Sequence, residues 1–89
     1  MAWTIEIEER ALRDLKRLDR TIQREITDYL RHRIATAEDP RDFGKPLREG
    51  KFGLWRYRVR DYRIICRLRD EHLVVLVVEV GHRSTIYDE

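Results

Sequence analysis

Cysteine occurs once in the 89 residues, at position 66, so no internal disulfide can form and a reducing, cytoplasmic setting is expected. The three histidines and this cysteine show no ligand-like spacing, so neither a metal site nor any other cofactor is expected. Glycine and proline are scarce, at four and two. Both prolines and three of the glycines fall between residues 39 and 53, which therefore read as a loop. Long apolar runs are missing. The longest purely aliphatic stretch, Leu73–Val78, has six residues, far below the ~20 of a membrane-spanning helix, so no membrane role is expected. The N-terminal MAWTIEIEER has neither a basic region nor a long apolar core and does not read as a signal peptide. Lysine is also rare, since 16 of the 19 basic residues are arginine.

What remains suits one small domain spanning residues 1–89, with 42% hydrophobic and 40% charged residues. A domain of this size buries only roughly 60–65% of its unfolded surface, so support from a partner is expected. The net charge is only +2, but it is unevenly spread. Residues 44–69 hold Lys45, Arg48, Lys51, Arg56, Arg58, Arg60, Arg63, Arg67 and Arg69 against Glu49 and Asp61, a local balance of +7. Arginine presents a planar fork of donors that matches phosphate, so this segment is a candidate anion-binding region.

Periodicity supplies the elements. Trp3, Ile5 and Ile7 alternate with polar residues and predict a short strand. Ala11, Leu12, Leu15 and Leu18 share one helical face, and Asp19-Arg20-Thr21 can end that helix and cap the next. Ile22, Ile26, Tyr29, Leu30, Ile34 and Ala37 predict a longer second helix closed by Pro40. Trp55, Tyr57 and Val59 alternate with arginines, as do Tyr62, Ile64, Cys66 and Leu68, and Leu73–Val80 completes the set. The order is β-α-α-β-β-β. It defines an α+β fold with a two-helix hairpin on one face of a mainly antiparallel four-stranded sheet.

Register then locates a site. A two-residue turn at Arg60-Asp61 pairs Val59 with Tyr62, Arg58 with Arg63, Tyr57 with Ile64 and Trp55 with Cys66. The apolar set falls on one face and reads as core. The arginines fall on the other, with Arg58 and Arg63 directly opposed, where like charges destabilise. A bound phosphate would relieve that pair. A second turn at Asp70-Glu71 adds Ile65, Val74, Leu76 and Val78 to the arginine face, an apolar strip that two helices on the far side cannot cover. Solvated charge is the plain alternative for such a face. His82 is open between a loop position and a chemical role.

Four segments in order resemble the RelE/ParE toxin superfamily, and its RelE branch in particular. They are WTIEIEERALRDLKRLD, Lys45-Pro46-Leu47, the run Leu54–Val59 followed by Asp61-Tyr62-Arg63-Ile64, and Val80-Gly81-His82-Arg83 with Tyr87 four residues on. The resemblance implies a type II toxin held by an antitoxin. That partner would cover the basic and apolar open face, and operator DNA would be bound only through the complex. It implies cleavage of mRNA in the ribosomal A site, with the ribose 2′-hydroxyl attacking the adjacent phosphate. Carried over residue by residue, the family's catalytic basic set and terminal tyrosine match Arg56, Arg58, Arg63, Arg83 and Tyr87. Arginine stays protonated, which suits charge stabilisation rather than proton transfer. Arg56, Arg58, Arg63 and Arg83 are therefore expected to act as electrostatic clamps, with His82 and Tyr87 as the proton-transfer candidates. Lys45, Arg48, Lys51, Arg56, Arg60 and Arg67 are expected to bind the RNA backbone. Family members often carry lysine where Arg56 and Arg58 stand, and glycine where Arg60 stands. Two other functions stay open: a ParE-like inhibitor of DNA gyrase that cuts nothing, and a decayed RNA-binding module.

Overall fold

A computed structural model describes residues 2–47 and 53–83. The strand β1 (Thr4–Ile7) leads into helix α1 (Glu9–Lys16) and helix α2 (Arg20–Tyr29). Asp19 separates the helices as its sequence position predicts, its carboxylate accepting the Thr21 N–H at 3.1 Å. Gln23 donates back to the Leu18 carbonyl at 2.8 Å and closes the preceding turn. The second helix differs from the even periodicity of its sequence. Over Leu30–Ile34 its hydrogen bonding widens to a π-type turn, with the Ala35 N–H reaching the Leu30 carbonyl at 2.8 Å. The Ala35 carbonyl in turn accepts the Trp3 N–H at 2.8 Å and ties the helix end to the start of β1.

The remaining strands are β2 (Lys45–Pro46), β3 (Leu54–Val59), β4 (Tyr62–Arg69) and β5 (Val74–His82). The sheet has five strands rather than four, in the order β1-β5-β4-β3-β2. β1 runs parallel to β5 and every other pair is antiparallel. The extra strand lies within the segment read as loop, because two residues carry no alternation to detect. Its proline is tolerated at a sheet edge, where no donor is required outward. Gly44 makes the approach possible. Its φ is +73°, and a Cβ there would stand 2.3 Å from the Arg56 carbonyl oxygen. Trp55 Nε1 donates to the Phe43 carbonyl at 2.6 Å and the Tyr57 hydroxyl to the Pro40 carbonyl at 2.8 Å, so two core aromatics anchor this segment.

The β4–β5 connection also departs from expectation. Asp70–His72 form a 3-10 turn and Leu73 adopts a left-handed conformation (φ 53°), so β5 begins at Val74 rather than after a two-residue turn. The ladder then slips once. Ile65 pairs with Glu79 but Cys66 pairs with Val77, leaving Val78 as the extra residue of a bulge. The slip lets Val75, Val77 and Val80 all reach the helices, where they are buried with Ala11, Leu15, Ile26, Leu30, Ile34, Tyr57, Ile64 and Cys66. Beyond the end of β1, Asp14 of α1 accepts the Val80 N–H at 3.2 Å on the outer edge of β5.

Candidate anion-binding site

The β3–β4 hairpin has the register its sequence predicts: Val59 opposite Tyr62, Arg58 opposite Arg63, Tyr57 opposite Ile64 and Trp55 opposite Cys66. Residues opposed in an antiparallel ladder share a face. Trp55, Tyr57, Val59 and Tyr62 therefore turn to the helices and pack on the core. Arg56, Arg58, Arg63, Ile65 and Arg67 share the uncovered face. Lys45 joins them opposite Arg56, and Leu54 and Leu76 flank Arg67 from the two neighbouring strands. Arg69 and Val74 oppose each other at the far end. The apolar strip is less open than expected, because Ile65 is only 3% exposed. Arginine stems beside it can cover an apolar side chain while keeping their charge in water.

One end of this face gathers charge. Arg58 and Arg63 oppose each other, and Gly81 lies across from Arg63 on β5. The Nη1 nitrogen of Arg63 is buried. Arg58 Nε donates to the Arg60 carbonyl at 3.0 Å. The Arg83 main-chain N–H donates to the Asp61 carbonyl at 2.7 Å, which draws the end of β5 to the hairpin tip. The Asp61 carboxylate then stands 4.0 Å from Arg58 Nη2 and 4.0 Å from Arg83 Nε. The fold thus brings together three of the five residues proposed for chemistry, Arg58, Arg63 and Arg83.

The other candidates divide. His82 pairs with Tyr62, and their rings meet edge to face with centroids 5.3 Å apart. That contact places the imidazole on the helix side of the sheet, across it from the arginine cluster. Arg60 takes a left-handed φ of 55° at the hairpin tip and turns toward α2. Its guanidinium grips Glu25 with Nε–Oε1 at 2.5 Å and Nη2–Oε2 at 2.8 Å, so it leaves the face on which RNA binding was expected of it. Lys45, Arg56 and Arg67 remain on that face. Arg48, Lys51 and Tyr87 lie outside the described residues. Asp61 was read as a turn residue and as part of the family-like segment but was given no role in the site; its signal in the sequence is a lone carboxylate between Arg60 and Arg63. Among the described residues no group of His, Cys, Asp or Glu gathers to hold a metal ion. The site is an array of fixed positive charges, suited to a phosphate in a chain rather than to a neutral ligand.

Two helices on one side of a mixed five-stranded sheet are the fold of the RelE-like toxins. Residues 5–87 match the family described as the ParE toxin of the type II toxin–antitoxin system parDE. The chain belongs to this family, within the RelE/ParE toxin superfamily. It is 32% identical to the toxin RelG of Mycobacterium tuberculosis, over 98% of both chains. It is 31% identical to the mRNA interferase toxin RelE of Escherichia coli K12, over 100% of this chain and 94% of that one. Its structure superposes with a TM-score of 0.85 on a chain of the toxin–antitoxin complex RelBE2 from Mycobacterium tuberculosis, 30% identical with 94% of each chain covered.

Proposed function

We propose that this toxin is an endoribonuclease that cuts mRNA in the ribosomal A site and so arrests translation in the cytoplasm. The observation that carries the reading is the convergence of Arg58, Arg63 and Arg83 at one end of an uncovered sheet face. In the reaction, the ribose 2′-oxygen attacks the adjacent phosphorus while the bond to the 5′-oxygen breaks. The products are a 2′,3′-cyclic phosphate and a free 5′-hydroxyl. Negative charge grows on the non-bridging oxygens at the phosphorane, where guanidinium donors stabilise it more than they stabilise the ground state. One proton leaves the 2′-hydroxyl and one reaches the 5′-oxygen. The arginines keep their protons, and the His82 ring packs on Tyr62 across the sheet, so in this proposal Tyr87 gives its phenolic proton to the 5′-oxygen, water takes the proton of the 2′-hydroxyl, and the tyrosinate is reprotonated from solvent. Lys45, Arg56 and Arg67 track the RNA backbone along the same face, and Arg48 and Lys51 are proposed to add contacts to it. The naming of a relative as an mRNA interferase supports the reading. The partner is an antitoxin whose acidic or amphipathic segment covers the arginine face and neutralises it, as the complexed state of the RelBE2 relative suggests. Operator DNA is then bound by the complex through the antitoxin.

Inhibition of DNA gyrase is the second reading, favoured by the family description as the ParE toxin. Induction of the chain in growing cells, with mapping of new mRNA 5′ ends, separates the two. Growth arrest with cuts inside translated codons, abolished by Arg83→Ala in a folded variant, is the expected result. Arrest with intact mRNA and broken DNA would establish the gyrase reading. Binding to RNA should also weaken steeply with salt, since each phosphate contact releases counterions.

A further inference from the structure

Asp61 meets two arginines from different strands in two ways. Its carboxylate Oδ1 is 4.0 Å from both Arg58 Nη2 and Arg83 Nε, and its main-chain carbonyl accepts the Arg83 N–H at 2.7 Å. We infer that Asp61 is a positioning residue that holds Arg58 and Arg83 apposed for a phosphate. Guanidinium groups gathered at one end of a sheet repel each other, and a carboxylate set between two of them offsets that repulsion. The three side chains are 57–58% exposed, so these ion pairs contribute little to stability. Their effect is geometric: they bias two flexible, solvent-exposed forks toward one another. At 4.0 Å neither fork is closed in a hydrogen bond with the carboxylate, so the Nη donors of Arg58, whose Nε is held by the Arg60 carbonyl, and the fork of Arg83 face phosphate oxygens without that competitor.

The carboxylate also lowers the local positive potential, so its loss has a distinctive signature. With Asp61→Asn the arginines spread while the field that attracts RNA grows. Binding is kept or strengthened as cutting slows. A merely structural residue would not split binding from chemistry in this way. The asparagine variant preserves the side-chain volume and the main-chain carbonyl that Arg83 uses.

The kinetic arm of the test rests on the nuclease reading, and a spectroscopic arm does not. In 15N–1H spectra of the free protein, Asp61→Asn should shift the Nη–H signals of Arg58 and the Nε–H signal of Arg83. Those of Arg41 and Arg60, held by Asp70 and Glu25, should stay in place. Unmoved Arg58 and Arg83 signals overturn the inference. On ribosomes loaded with mRNA, kcat should fall roughly 2- to 10-fold, the scale of losing two weak, exposed ion pairs. KM should hold or decrease, and Asp61→Glu should recover part of the rate. A wild-type kcat in Asp61→Asn, where Arg83→Ala is inactive, overturns the positioning role and leaves the nuclease reading intact. Shifted arginine signals in a wild-type chain that cuts no RNA support the positioning role and sink the nuclease reading.

Discussion

Arg58 and Arg63 stand directly opposite each other across the β3–β4 ladder, a like-charge pair at the centre of the candidate site. Opposed like charges destabilise a sheet by roughly 0.2–1 kcal/mol. Replacing Arg58 with threonine, a good strand former, should therefore stabilise the free protein by about that amount while abolishing RNA cleavage. Urea unfolding and a cleavage assay on the same variant measure both effects. Loss of stability together with activity would show that the pair is not strained in the free chain.

Arg41 bridges the loop before β2 to the β4–β5 turn through a bidentate contact with Asp70, at 3.0 and 2.6 Å. The hydrogen bonds from Arg41 hold the Asp70 carboxyl below its ordinary value of 3.8. A carboxyl lowered by folding stabilises the native state above its unfolded value, and that stability is lost as pH falls through the folded value. Asp70→Asn should cost a few tenths to about 1 kcal/mol at pH 7, as exposed pairs do. The difference from wild type should shrink below pH 3.8 and vanish once the native carboxyl is protonated. Unfolding curves for the two proteins at several pH values check this, and a gap independent of pH would contradict it.

Gly44 lets residues 40–46 lie against β3. An alanine there would hold a left-handed backbone conformation, at roughly 1–2 kcal/mol. Its Cβ would also meet the Arg56 carbonyl at 2.3 Å. Gly44→Ala should cost more than ~2 kcal/mol in urea unfolding, the clash adding to that backbone term. It should also speed amide exchange in β3 near Arg56. A loss below 1 kcal/mol would mean that the edge strand detaches without consequence.

The Cys66 thiol is fully buried, and burial pushes its ionisation well above the ordinary value of 9.0. The thiolate is the reactive form, so the native protein should resist thiol reagents at pH 8. Labelling should speed up with urea in step with global unfolding. Fast labelling of the native chain would show that the sheet opens locally at β4.

The hairpin was legible because alternation along β3 and β4 is strict on both strands, and any one-residue slip would bury arginines. The capping role of Asp19 was legible because its signal is local. The strand Lys45–Pro46 was not, since an edge strand of two residues is defined only by the backbone it meets. Arg60 was misplaced because its alternation with Trp55, Tyr57 and Val59 ends at the turn, where a left-handed φ sends the side chain to Glu25. Ile65 and the valines of β5 were read without the bulge, which no residue type announces.

By itself, then, the order of residues determined the α+β class, the two helices, the β3–β4 register and a face rich in arginine. These follow from periods of 3.6 and 2, which repeat along the chain and need no knowledge of its neighbours. The tertiary structure decided how the arginines are used. The Arg83 N–H bonds to the Asp61 carbonyl and closes the ring of charge, while the His82 ring turns to Tyr62 and leaves that side of the sheet. Such choices depend on which strand ends meet in space. Contacts between distant segments set them, and no periodicity encodes those contacts.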